Sequence, residues 1–240
     1  MPINLLLPLK MPIFANLATK ANPEPASGEQ EQIARAARAF EAQEYAKAVA
    51  LLLPLKQYPE AMCFIGLVYL DDPLQPSMRS HGWESLIASA RSGFGYAWLA
   101  LGHRYLSGPD RSFPIEVEEI QRNFDYARYW LVKGAEQGCA VSHYLLAQCD
   151  CNVGDFGSAA TRLILADTLG HKDAADLYDS IALGLDSETL GSAQKAALEW
   201  LNVRTANCDE WALRIAEVRS ARKRESEVPA KMNLDAIPLH

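Results

Sequence analysis

The residues of this chain best suited to chemistry are a histidine and three cysteines in one short stretch: Cys139, His143, Cys149 and Cys151. Cys139 and His143 are four residues apart, so on a helix both side chains would face one ion, and thiolate with imidazole suits zinc. However, one residue separates Cys149 from Cys151, rather than the two typical of zinc knuckles, and the set spans a helix. We therefore predict two packed thiols, a groove histidine and a loop cysteine, with no bound metal and no cofactor.

No motif of a known catalytic chemistry occurs in the sequence. The chain has no G-x-S-x-G elbow for a nucleophilic serine, no H-E-x-x-H helix for a catalytic zinc and no Walker loop for phosphate. Its five histidines are scattered over separate segments and give no obvious general base. The sequence therefore predicts a protein that is not an enzyme.

The elements that must position these residues follow a repeated helical pattern. AMCFIGLVYL (61–70) and AWLALGHRYLSG (97–108) share an alanine, an aliphatic residue four positions on, a glycine five on and a tyrosine eight on. Spacings of four and eight place side chains on one face of a helix. We predict that Gly66 and Gly102 allow close approach of a neighbouring helix, and that the tyrosine fills the gap beside each glycine.

Each repeat is also predicted to contain a second, alanine-rich helix. EYAKAVALLL (44–53) and DYARYWLVKGAEQG (125–138) both open with an acidic residue, tyrosine and alanine. Glycine adopts the left-handed conformation at little cost and commonly ends a helix, so we expect such ends at Gly93, Gly138 and Gly170. The sequence LLLPLK occurs at residues 5–10 and 51–56, and in the second copy Pro54 should break the helix.

The pattern predicts an all-α fold, an α-solenoid of about five stacked antiparallel helix pairs, each too small to bury its own apolar face. The first helices of successive units are expected to start at Ala61, Ala97, Ser142, Ala174 and Ala212. An insertion at 108–122, whose first part is predicted to be a loop, explains the long second interval. The predicted organisation is an apolar segment and linker at 1–28, with ANPEPASGEQ (21–30) as linker, a helical repeat domain at 29–225 and a tail at 226–240.

The stretch AWLALGHRYLSG, together with DYARYWLVKGAEQGCA further on, resembles a nearly complete unit of the Sel-one-like repeats, a subclass of the tetratricopeptide-type helical repeats. The resemblance covers roughly residues 32–215 and is strongest over 61–142. In the last two units Ala147 and Asp150, and then Asp179 and Ala182, stand where the glycine and tyrosine should fall. The resemblance implies an α-solenoid that binds other proteins; small bacterial proteins of this family often serve as adaptors, regulators or immunity proteins against secreted toxins.

In stacked helix pairs the first helices line a concave surface. Counting outward from the packing residues, the stripe on this surface should include Tyr96, Leu99, His103, Tyr144, Gln148, Asp173, Asp176 and Ser180. Its first half is aromatic and its second acidic, which suits a protein partner with an apolar anchor and a basic patch. We therefore predict a non-catalytic interaction module, with a secreted toxin or a secretion component among the candidate partners.

Composition limits the other classes of partner and compartment. The chain has 240 residues and a net charge of −7, which argues against a general nucleic-acid binder, and it contains no apolar run of 18 or more residues that would span a membrane. Five cysteines, an odd number without framework spacing, favour reduced thiols in the cytoplasm. The alternative is an exported or membrane-peripheral protein of an envelope or secretion system, with residues 1–18 cleaved or leaning on a membrane, although MPINLLLPL lacks a basic start.

The tryptophans and a basic cluster are the remaining residues considered for binding. Trp130 and Trp200 occupy the inter-helix packing position of the family pattern, whereas Trp98 is expected to be partly exposed. The cluster contains Arg219, Arg222, Lys223 and Arg224. Cations in the last turns of a terminal helix complement its dipole, and we prefer that interpretation to a site for an anionic partner.

Overall fold

The computed structural model describes residues 27–107 and 117–207, and within these ranges the protein is all-helical, without strands. The described α-helices are α1 (Ser27–Glu41), α2 (Tyr45–Leu52), α3 (Pro59–Asp71), α4 (Arg79–Arg91), α5 (Gly95–Ser107), α6 (Val117–Glu136), α7 (Ala140–Asn152), α8 (Phe156–Thr168), α9 (Ala174–Ala182) and α10 (Ser187–Asn207). Short 3₁₀ helices occur at Leu53–Leu55 and Pro76–Met78. The predicted all-α class is confirmed.

The chain divides into two compact units, the first ending at Cys149 and the second beginning at Asp150. Several predictions lie outside the described residues. These are the N-terminal apolar segment, the first part of the 108–122 insertion, the helix start at Ala212, the basic cluster and the 226–240 tail. The solenoid arrangement of the whole chain stays a prediction.

Successive helices of the first unit pack against each other in antiparallel pairs. In the pair α3 and α4, a Cβ placed on Gly66 would lie 2.8 Å from the Gly82 carbonyl oxygen and 2.9 Å from Leu86 Cβ. At the other end of the pair, the Ser89 hydroxyl donates a 2.6 Å hydrogen bond to the Pro59 carbonyl. The predicted close approach at Gly66 is confirmed.

The pair α5 and α6 repeats this contact with different residues. A Cβ on Gly102 would lie 2.5 Å from Cγ of Leu131, which is fully buried. Tyr105 and Tyr126 meet nearer the carboxyl end of α5, with ring centroids 5.3 Å apart, so the two helices run in opposite directions. The predicted close approach at Gly102 is also confirmed.

Helices α3 and α5, one pair apart, lie side by side and run in the same direction. Phe64 near the start of α3 stacks on Tyr96 at the start of α5, with ring centroids 6.0 Å apart. At the other end, Arg104 of α5 donates a hydrogen bond to Asp71, the last residue of α3. Two contacts in the same order along both helices fix their common direction.

Two main hydrophobic clusters form most of the described core of the first unit, beside a small third one of Ala39, Ala48 and Val68. The larger one includes fully buried leucines from three different helices, namely Leu52, Leu86 and Leu101. The smaller one joins α5, α6 and α7 through Leu99, Leu131, Leu145, Leu146 and Cys149. Ala61, Ala97 and Ser142, predicted as helix starts, lie two residues inside α3, α5 and α7; all three are fully buried, as small residues at helix contacts should be.

The second unit is built from α8, α9 and α10, together with the last residues of α7. Helix α8 contacts both α9 and α10. Gly157 near the start of α8 lies against Thr189 near the start of α10, and Leu165 shares a hydrophobic cluster with Ala197 and Leu201. Helices α8 and α10 therefore run side by side in the same direction, as α3 and α5 do in the first unit.

Glycines end the helices where the sequence predicted. The φ angles are 88° at Gly93, 72° at Gly138 and 98° at Gly170, all in the left-handed region. The first helical hairpin has no glycine at its turn, and there Gln43 takes φ 60° instead. Each of these residues therefore terminates a helix by the same backbone conformation.

Several predicted boundaries need correction. Helix α1 begins at Ser27, so the end of the predicted linker at 21–30 is helical, because its serine, glycine and glutamates can open a helix as well as fill a linker. Pro54 does end α2 through a 3₁₀ turn, as predicted. Helix α6 begins at Val117, eight residues before the predicted DYARYW helix.

None of the helices in 27–107 and 117–207 is both long enough and apolar enough to cross a bilayer.

Candidate functional site

Two of the eight predicted surface residues belong to the hydrophobic core. Leu99 is fully buried, and Tyr96 is 5% exposed, stacked on Phe64 and in edge-to-face contact with Phe94. Burial also raises the pKa of the Tyr96 phenol. The prediction that Tyr96 and Leu99 line an exposed face is wrong, because α5 is covered by neighbouring helices on more sides than one.

The other three residues of the first unit are half-buried. His103 lies one turn beyond Leu99 on α5, and Tyr144 and Gln148 lie one turn apart on α7. All three flank the cluster that joins α5 to α7 through Leu99 and Leu145. They are therefore partly accessible and held by a buried layer beneath them.

The predicted residues of the second unit are exposed. Asp173, Asp176 and Ser180 follow one another at spacings of three and four, which places them on one side of α9. The backbone N–H of Asp173 donates to Nδ1 of His171 at 3.3 Å, and the Ser180 hydroxyl donates to the Leu177 carbonyl at 2.7 Å. The stripe is therefore acidic and open to solvent.

His171 stands at the turn that leads into α9. Desolvation by burial lowers the pKa of its imidazole, and the nearby Asp173 carboxylate opposes this shift. The imidazole therefore favours its neutral form, in which Nδ1 accepts the hydrogen bond from the Asp173 backbone.

The candidate zinc ligands are mostly buried in the helices. Cys139, His143 and Cys149 are at most 3% exposed, and Cys151 is half-buried at the end of α7. Burial, and then the Asp150 carboxylate, raises the pKa of the Cys151 thiol, which opposes the thiolate that a metal requires. Within the described residues, no three or more His, Cys, Asp or Glu side chains come together as a potential metal site. The absence of bound metal stays a prediction.

An exposed aromatic surface on α6 was missed by the sequence analysis. Trp83, Tyr105 and Tyr126 from three successive helices form a row, with ring centroids 5.1 and 5.3 Å apart. Tyr126 and Tyr129 are 51% and 54% exposed, and the Lys133 ammonium lies 5.0 Å from the Tyr129 ring centroid. The signal was available in DYARYW, because two tyrosines three residues apart lie next to each other on the surface of a helix.

The burial of the tryptophans agrees with the prediction for some of them and not for others. Trp130 is buried, as predicted, while Trp200 is half-buried with the Arg204 guanidinium 3.6 Å from its ring centroid. The expectation that Trp98 is partly exposed is wrong. Its side chain is 8% exposed because it packs in the larger hydrophobic cluster, where its Nε1 donates a 2.8 Å hydrogen bond to the Ala90 carbonyl.

A buried ion pair occupies the position where the repeat pattern expects tyrosine. Asp150 is 1% exposed and accepts a 2.7 Å hydrogen bond from Nε of Arg162. Burial of a carboxylate is costly unless a cation or hydrogen bonds compensate it. Asp150, which replaces the tyrosine of the repeat pattern, is therefore compensated in charge by Arg162 on α8, twelve residues later in the chain.

Comparisons of this chain with protein-family models, with curated proteins and with solved structures found no match.

Proposed function

We propose that this chain is a helical-repeat protein that binds another protein and catalyses no reaction. The observation that carries the proposal is the stacking of helices one pair apart. Helix α3 lies beside α5 through Phe64 and Tyr96 in the first unit, and α8 lies beside α10 through Gly157 and Thr189 in the second. Equivalent helices of repeat arrays stack in this way and build the extended surfaces on which such proteins bind partners.

The proposed binding residues are those predicted side chains that solvent reaches. In the first unit they are His103, Tyr144 and Gln148, and in the second Asp173, Asp176 and Ser180. A partly exposed tyrosine supplies a large contact area at low entropic cost, and exposed carboxylates attract a basic partner over longer distances. We infer a partner protein with an apolar anchor and a basic patch.

The first experiment captures a partner from the native host and measures its affinity for single variants. Tyr144→Ala and His103→Ala should each weaken binding, Tyr144→Ala by about 2 kcal/mol if the tyrosine is a dominant contact. Thermal unfolding is measured in parallel, since Tyr144 is half-buried beside the core residue Leu145. Lost affinity with an unchanged melting temperature supports the proposal.

The second experiment tests the acidic stripe. Asp173→Lys combined with Asp176→Lys should slow association and change its dependence on salt, because these exposed charges act by steering. Arg128→Ala on α6, outside the proposed binding residues, is the control and should change affinity little. Wild-type binding by both the Tyr144 and the Asp173 variants would contradict the proposal.

The exposed tyrosines of α6 serve as a control for the affinity measurements on the Tyr144 variant. Tyr126→Ala and Tyr129→Ala remove exposed aromatic area outside the proposed binding residues. Little loss of affinity in these variants is expected. A large loss there, with no loss in the Tyr144 variant, would transfer the binding site to α6.

The biological role is proposed at the level of class: an adaptor, a regulator or an immunity protein that acts in the cytoplasm. A toxin encoded by the neighbouring gene would favour immunity, and an envelope or secretion operon would favour an adaptor. The alternative is an exported or membrane-peripheral protein. Mass spectrometry of the native protein separates the two, because an intact Met1 or Pro2 terminus contradicts cleavage.

A further inference from the structure

The turn between α8 and α9 is joined to α9 through an imidazole nitrogen. The backbone N–H of His171 donates a 2.8 Å hydrogen bond to the Ala166 carbonyl of α8. The Nδ1 atom of the same residue accepts a 3.3 Å hydrogen bond from the backbone N–H of Asp173, the N-cap residue of α9, whose own side chain makes no cap hydrogen bond. In a capping box a glutamate or glutamine side chain accepts from the N-cap N–H, and here an imidazole does so. His171 therefore links the end of α8 to the start of α9.

Protonation of His171 removes this acceptor. A neutral imidazole accepts at one ring nitrogen and donates from the other, whereas both nitrogens of an imidazolium carry a proton and donate. A protonated Nδ1 would point its N–H at the Asp173 N–H, so the hydrogen bond breaks and the ring has to turn away from the backbone. The Asp173 carboxylate acts on the same imidazole and favours its charged form. Protonated His171 therefore loses the backbone of Asp173 as a partner and is attracted to the side chain instead.

Other charged side chains stand on the elements around this turn. They lie near the end of α8, in the turn, on α9, and on the half of α10 that packs beside the end of α8, and they are Asp167, Lys172, Asp176, Asp179, Glu199 and Arg204. Carboxylates outnumber cations in this set, so the surrounding charge does not oppose an imidazolium. Burial is what opposes it, and opening the turn to water removes that opposition.

Helix α9 is held to the second unit by little buried surface. It packs against α8, and Ala174 is the one buried residue among its nine, while its other apolar side chains are half-buried at most. Helix α8 buries five residues, and its Leu165 shares a hydrophobic cluster with Ala197 and Leu201 of α10. Segments with few buried apolar contacts open at a lower free-energy cost than the core around them. Loss of the His171 hydrogen bond therefore acts on α9, while the packing of α8 against α10 does not depend on it.

We propose that the turn at 169–173 is a pH-sensitive switch, in which protonation of His171 breaks its hydrogen bond to Asp173 and opens α9 locally while α8 and α10 stay packed together. The opened turn returns the imidazole to water, where an imidazole has a pKa of about 6.5. Below that pH each further pH unit favours the open form by up to about tenfold, until the closed form is protonated as well. The stripe of Asp173, Asp176 and Ser180 opens with α9, so partner binding through it should weaken in acid. This consequence rests on the proposed function, whereas the switch itself does not.

The test is hydrogen exchange of the full chain without any partner, at about pH 7.5 and about pH 5.5, with rates corrected for the intrinsic effect of pH on exchange. Protection of the amides at 177–182 should fall several-fold, up to about tenfold, relative to that of the α8 amides. His171→Asn should abolish this relative loss, because the asparagine oxygen is able to accept the Asp173 N–H and does not titrate. His81→Asn, at an exposed histidine of α4, is the matched control and should leave the pH response unchanged.

A titration of the wild type by NMR keeps the test decisive if His171→Asn unfolds the second unit. The Nδ1 signal of His171 should be that of an unprotonated nitrogen at neutral pH, and its titration midpoint should coincide with that of the α9 amide signals. Separate midpoints would overturn the proposal, as would α9 protection that stays constant relative to α8 over this pH range. An equal pH response in the His171→Asn protein would also contradict it, and so would the same loss of protection in α8 and α10, since the opening would then be global.

Discussion

Gly102 shows how the absence of a side chain sets a helix contact. Its α-carbon faces the fully buried side chain of Leu131, whose Cγ would lie 2.5 Å from an added Cβ and whose Cδ2 would lie 2.6 Å away. Carbon atoms do not approach this closely, so the Leu131 side chain would have to shift within the closely packed core. The glycine therefore determines how closely α5 and α6 pack.

Gly102→Ala should lower the free energy of unfolding by about 1–3 kcal/mol, and Gly102→Leu by at least as much, because both overpack this contact. The matched control is Gly191→Ala on α10, where no atom lies within 4 Å of the added Cβ. That change should raise the free energy of unfolding by about 0.5–1 kcal/mol through helix propensity. Denaturant titration measures both, and equal effects of the two substitutions would contradict the assigned contact.

The cysteines allow a prediction about the zinc content of the purified protein. Protein purified without added metal should contain no zinc, because Cys139 and Cys149 are packed in the helices and the raised pKa of Cys151 disfavours its thiolate. Elemental analysis measures this directly. Stoichiometric zinc that disappears in the Cys149→Ser and Cys151→Ser variant would restore the metal-site hypothesis.

At the scale of single elements, α8 has a side-chain cap that the sequence analysis did not use. Asp155 precedes the helix, and its Oδ1 accepts a 3.0 Å hydrogen bond from the Ser158 backbone N–H. The carboxylate thereby satisfies one of the amide donors that a helix leaves unpaired at its start, and its charge complements the helix dipole.

Replacing Asp155 by alanine should destabilise the protein by about 1 kcal/mol, the usual cost of losing an N-cap. Asp155→Ser is the control, since a serine hydroxyl accepts the same bond and should retain most of the stability. Denaturant titration of both variants provides the measurement. A loss as large in the serine variant as in the alanine variant would mean that the carboxylate acts by its charge and not as a cap.

Element type and order could be predicted from sequence, and burial only in part. The repeated Ala-Gly-Tyr spacing located α3 and α5, and glycine located three helix ends, because each depends on local chemistry. Spacing identifies the side of a helix but not how much of it the neighbouring helices cover. Tyr96 and Leu99 were for that reason assigned to a surface, although they belong to the core.

At the scale of the whole molecule, His171 links stability to pH. Burial lowers the pKa of its imidazole in the folded protein, while the unfolded chain retains the ordinary value of about 6.5. Between the two pKa values the unfolded chain binds more protons than the folded one, so acidification favours unfolding. The contribution of His171 to stability is present above about pH 6.5 and is lost as pH falls below it.

His171→Asn should make the free energy of unfolding fall less steeply than in the wild type as pH falls below about 6.5. Asparagine is chosen because its side-chain oxygen is able to accept the Asp173 backbone hydrogen bond that His171 Nδ1 accepts now. Chemical denaturation at several pH values measures the slope. An identical slope in both proteins would show that His171 is equally protonated in the folded and unfolded chain.

The sequential packing of the helices has a consequence for the kinetics of folding. Contacts between α3 and α4, between α5 and α6, and between α8 and its neighbours α9 and α10 join residues that are close along the chain. Closing short loops costs little chain entropy, and proteins dominated by local contacts fold in microseconds to milliseconds. Each helical hairpin can therefore begin to form while the rest of the chain is still being synthesised, before any distant segment is needed to complete it.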